Sequence, residues 1–147
     1  MANTIEHNET FYVENPDDDF FVIPDNYTFI KNLDITYTNN VHIPCLSNLK
    51  IIRTYDSHVR IPDKLPNLHI VICQMIEDIK INLENYYNLI ILKDIDTQIL
   101  SLDNHHYSHQ EIAQILRNNN IRIIPIHRDI DFDTIEEFIE YCNDNNF

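Results

Sequence analysis

The stretch Asn48-Leu49-Lys50-Ile51 returns as Asn67-Leu68-His69-Ile70, and looser versions of it flank the pair. Upstream stands Asn32-Leu33-Asp34-Ile35, and downstream Asn88-Leu89-Ile90-Ile91. Three residues before each Leu lies another large apolar side chain: Ile30, Leu46, Leu65 or Tyr86. Five residues after it comes Thr38, Thr54, Cys73 or Asp94, and the segments close on Ile43-Pro44, Ile61-Pro62, Ile81 and Leu102. The interval is roughly 16 to 21 residues. Self-similarity at such a period marks a solenoid, in which each unit hides its apolar flank only against its neighbours.

Each Leu-x-Ile reads as a short strand with side chains alternating between core and open face. The core columns expected are Leu33, Leu49, Leu68, Leu89 and Ile35, Ile51, Ile70, Ile91, on strands paired in parallel. Thr38, Thr54, Cys73 and Asp94 then fall where the chain turns and inward backbone groups need a small bonding side chain. Proline ends strand pairing, which suits the Ile-Pro closures. A weaker copy from Thr10 through Val13 to Ile23-Pro24 is expected to serve as an N-terminal cap.

The column order resembles that of the leucine-rich repeat family, Leu-x-x-Leu-x-Leu-x-x-Asn/Cys, over roughly residues 10 to 102. It is most similar to the short, Ile- and Asn-rich copies of large DNA viruses and AT-rich protists. The resemblance implies a curved parallel sheet and partner binding through the strand face. It also implies a host-protein adaptor or a particle component as the setting. Thr36, Ile52, Val71 and Leu92 follow the strand Ile and are expected to face outward. Three of the four are aliphatic, so a partner, a second copy or the chain's own ends should cover them. Asp34, Lys50, His69 and Ile90 flank that stripe and would tune specificity.

Past Leu102 the period breaks. Ser108 with Glu111 reads as a capping box opening a helix whose apolar side is Ile112, Ile115 and Leu116. That helix should stop at Asn118-Asn119-Asn120. Ile121 to Ile126 reads as a buried strand, and Asp133 with Glu136 as the cap of a last helix burying Ile135, Phe138, Ile139 and Cys142. The expected fold is therefore an α/β solenoid in one domain: an N-terminal cap (1–24), about four repeats (25–102) and a helix–strand–helix cap (103–147).

The formal charge is -14, with ten Lys and Arg scattered singly, which argues against a nucleic-acid backbone as partner. Acidic residues gather at Asp17-Asp18-Asp19 and along Asp129 to Glu140, so an acidic decoy for a basic protein is a second reading. No apolar run reaches the ~18 residues of a membrane span, and the polar first residues do not read as a signal peptide. Cys45, Cys73 and Cys142, odd in number and without CxxC spacing, point to a reducing, cytoplasmic setting. Glycine is absent, which excludes phosphate-binding Gly-rich loops and the nucleophile elbow. Positive-φ turns must fall to Asn and Asp.

His105, His106 and His109, with Asp103 and Glu111, are the one cluster of metal-ligand types, and a metal-dependent enzyme is the remote reading. No zinc signature fits the spacing, and a solvated loop explains it. Cys73 near His69 is the nearest approach to a nucleophile and base, yet a strand would point the two to opposite faces. Asp129, Asp131 and Asp133 lack the Gly of a calcium loop. The residues therefore suggest a non-catalytic binding module without a cofactor.

Overall fold

Long and short strands alternate along the chain, and each kind pairs with its own kind. In the computed structural model the elements run β1 (Thr4–Glu6), β2 (Thr10–Glu14), β3 (Phe21–Val22), β4 (Asn32–Thr36), β5 (Val41–His42) and β6 (Ile51–Tyr55). They continue as β7 (Val59–Arg60), β8 (Ile70–Gln74), β9 (Asp78–Lys80), a 3-10 turn at Leu83–Asn85, β10 (Ile90–Lys93) and β11 (Gln98–Leu100). Helix α1 (His109–Asn118), β12 (Arg122–Pro125) and helix α2 (Ile135–Asp144) complete the chain. The structure describes residues 4–6, 9–14, 20–74, 78–94, 98–100, 108–126, 132 and 134–147, with the backbone alone for 4–6, 78 and 98–100.

One sheet orders its strands β1-β2-β4-β6-β8-β10-β12, and a second orders them β11-β9-β7-β5-β3. Every pairing is parallel except that of β1 with β2. This is a parallel β-solenoid of about four turns with two C-terminal helices. The weak copy at Thr10 is a full rung, and β1 covers its edge.

The long-strand register runs Leu33–Ile52–Val71–Ile91–Ile123 on one face and Asp34–Arg53–Ile72–Leu92–Ile124 on the other. The first column joins Ile23, Ile43, Ile61 and Ile81 from the second sheet in the core between the two. Ile70, Ile72, Ile90 and Leu92 on the opposite face form a separate core with Ile126, Phe132, Phe138 and Cys142. The expected columns are thus corrected. Ile51 and Ile70 point to the outer side, while Ile52 and Val71 point in.

The repeated Asn has three uses. Asn48 donates to the Thr28 carbonyl at 2.7 Å and Asn67 to that of Ser47 at 2.5 Å, tying each turn to the one before. Asn32 instead donates to the Thr10 hydroxyl. Asn88 takes a positive φ of 60°, as does Asn120 at 52°, and their side chains hydrogen-bond at 2.8 Å. This shifts Leu89 one place relative to Leu49 and Leu68, so that it stands opposite His69 yet remains buried.

At the corners after β4 and β6, Tyr37 and Asp56 adopt positive φ, Tyr37 against the expectation that Asn and Asp would take such turns, and the hydroxyl that follows bonds the strand end. Thr38 donates to the Thr36 carbonyl and Ser57 to that of Tyr55, both at 2.9 Å, while the Thr38 N–H donates to the Ser57 hydroxyl of the next rung. Thr38 thus has its expected role. Thr54 and Cys73 lie within β6 and β8, so Ser57 rather than Thr54 is the second corner residue.

The C-terminal segment does more than cap. The Ser108–Glu111 capping box forms, and α1 presses Ile115 and Leu116 against the inter-sheet core. β12 adds the last rung. Helix α2 lies over the outer face of the long-strand sheet, its N-terminus capped by Thr134 accepting from the Glu137 N–H rather than by Asp133. Ile135, Phe138 and Cys142 are buried, and Ile139 only half so.

Candidate binding groove

The stripe expected to meet a partner is dispersed by the fold. Ile52 and Val71 sit in the inter-sheet core. Ile90 and Leu92 lie in the core that includes α2. The second sheet covers Ile52 and Val71, and the chain's own C-terminal segment covers Ile70, Ile72, Ile90 and Leu92, which removes that apolar surface from water. Thr36 is half-buried, and only Lys50 and His69 stand exposed, on adjacent rungs where the strands begin.

Asp34 has left the surface altogether. Arg53, its neighbour in register, donates Nη1 to both carboxylate oxygens at 2.9 and 3.1 Å, and its Nη2 to the Phe132 carbonyl. Burial pushes the Asp34 carboxyl above its ordinary 3.8, Arg53 opposes that by charge and hydrogen bonding, and Glu136 adds to it. Nε of Arg53 has no hydrogen-bond partner among the described residues. A buried pair of this kind positions elements more than it stabilises them.

Among the described residues, an open surface lies on the other sheet. Its register places Val22, His42, Arg60 and Lys80 in one column, each immediately before the Ile that enters the core. Strand alternation turns the column outward as Ile23, Ile43, Ile61 and Ile81 turn in. A groove of 420 Å³ runs over this face, lined by Phe20, Asn40, Val41, His42, His58, Val59, Arg60 and Lys80. At its β3 end Phe20 is 58% and Val22 51% exposed, and the Phe20 ring approaches His42 with centroids 6.3 Å apart. The arrangement offers cations and imidazoles beside an apolar end.

None of these residues stands out in the linear chain, because the cations are single and about twenty positions apart. The signal was the position before Ile or Ile-Pro: Val22-Ile23-Pro24, His42-Ile43-Pro44, Arg60-Ile61-Pro62 and Lys80-Ile81. Of the other candidates, His105, His106, Asp103, Asp129, Asp131 and Asp133 lie outside the described residues. His109 opens α1, and no group of three metal-ligating side chains occurs among the described residues. Cys73 is buried in the core and His69 is exposed, so the two do not meet. No helix among the described residues is long and apolar enough to cross a membrane. No family model, curated protein or solved structure matches the chain.

Proposed function

We propose that this chain is a non-catalytic protein-binding module, akin to the leucine-rich repeats its sequence resembles. Its contact surface is the outer face of the short-strand sheet. The observation that carries this reading is the contrast between the two sheets. Much of the long-strand sheet has its outer face closed by α2, whereas the short-strand sheet presents a groove with Phe20 and Val22 exposed beside it. Two neighbouring exposed apolar side chains next to polar groups are the anatomy of a small interface.

Affinity capture with the tagged chain and with Phe20→Ser plus Val22→Ser tests the surface. A partner that the native chain binds and the variant loses, with the same loss when the two are purified and mixed, is the expected result. Retention of every partner by a folded variant removes this face from consideration.

A further inference from the structure

The column on the short-strand sheet specifies what kind of partner fits, and we propose that the groove binds an extended acidic peptide. Its carboxylates would lie against Arg60 and Lys80, and an apolar residue would lie beside Phe20 and Val22. This inference rests on the binding-module reading and narrows it.

Charge is the first argument. The chain holds 24 acidic and ten basic residues, so a groove whose described lining carries two cations, two histidines and no acid departs from the overall sign. Ion pairs among the described residues join Lys31 to Glu9 and Arg53 to Asp34, so no described carboxylate is held against Arg60 or Lys80. They stand directly opposite each other in register, about 4.8 Å apart along the sheet. Like charges at that spacing repel, and a carboxylate placed between them relieves the repulsion. Arg60 can engage it through two parallel N–H donors and Lys80 as a point charge.

Size is the second. From Val22 to Lys80 the column crosses three rung spacings, about 14 Å, which four or five residues of extended peptide match. The chemistry changes along that length from apolar to cationic, so the ligand should carry its acids at one end and its aromatic or aliphatic residue at the other. A polynucleotide fits less well. It would bring phosphate along its whole length, meet two cations, and then face the remainder of a surface whose net charge is -14.

The test is fluorescence anisotropy of the full chain with a labelled hexapeptide that alternates Ser and Glu and ends in Phe. Saturable binding is expected, weakening with added salt, and falling about tenfold or more when Gln replaces Glu or when Arg60→Glu and Lys80→Glu are combined. The milder pair Arg60→Gln and Lys80→Gln, folded by circular dichroism, should lose part of the same affinity. Equal binding by the charge-reversed variant overturns the proposal, as does absence of saturation up to about millimolar concentration. Tighter binding of a labelled single-stranded DNA oligonucleotide also overturns it and assigns the groove to nucleic acid. Partners lost with Phe20→Ser plus Val22→Ser but untouched by charge reversal would sink the acidic peptide alone. Partners indifferent to both would sink the binding face with it.

Discussion

Arg53 grips the carboxylate of Asp34 from the adjacent rung and, with its other terminal nitrogen, the carbonyl of Phe132. One guanidinium thereby fastens two turns of the solenoid to the segment that leads into α2. Arg53→Met should cost about 3–5 kcal/mol in urea unfolding, since it strands a buried carboxylate. Asp34→Leu combined with Arg53→Met should recover most of that loss. A single variant as stable as the native chain would show that the pair holds nothing.

Asp34 also predicts a pH dependence. Burial raises its folded pKa above the ordinary 3.8, so the fold binds this proton more tightly than the unfolded chain does. Its contribution is complete below the unfolded value and is lost as pH climbs through the folded one. Native stability relative to Asp34→Asn should therefore decline as pH rises above the ordinary 3.8, measured by urea unfolding of both proteins. A difference that grows with pH would reverse the sign.

Phe138 is fully buried in the core under α2, with Phe132 edge-on at 5.3 Å. Phe138→Ala should destabilise by about 3–5 kcal/mol, because the void forms where helix meets sheet and can collapse only in part. Loosening of α2 would bare Ile72 and Leu92, so a dye that reports apolar surface should brighten before the main thermal transition. Unchanged fluorescence and melting temperature would mean that the helix is not needed there.

Thiol labelling should separate the three cysteines. Cys45 is exposed, Cys73 and Cys142 are buried, and burial pushes the Cys142 thiol up to about 11. A maleimide should modify Cys45 quickly in the native protein, with the other two reacting only in denaturant. Rapid labelling of Cys142 would contradict its place under α2.

The solenoid, its parallel pairing and its Ser108 cap were legible, because they depend on spacing and on local chemistry. The facing of the strands was not. Apolar residues recur every third position through Tyr27, Ile30, Leu33 and through Leu46, Leu49, Ile52, so the two copies can be superposed three residues apart with nearly equal merit. The structure pairs Leu33 with Ile52, not with Leu49. A slip by an odd number exchanges the two sides of a strand, and Leu49 and Leu68 precede β6 and β8, so counting alternation from them made Ile52 and Val71 expected contact residues. The groove escaped notice for a different reason: its members come together only when the rungs are stacked.

The hydroxyl of Tyr12, on β2, donates to Glu136 of α2 at 2.8 Å, across a sequence gap of 124 residues. Open arrays of repeats can fray from either end, losing one unit at a time. A link from the last element back to the second strand opposes that fraying, so melting should be closer to all-or-none and folding slow for a protein of this size. The last helix and the second strand are thereby coupled.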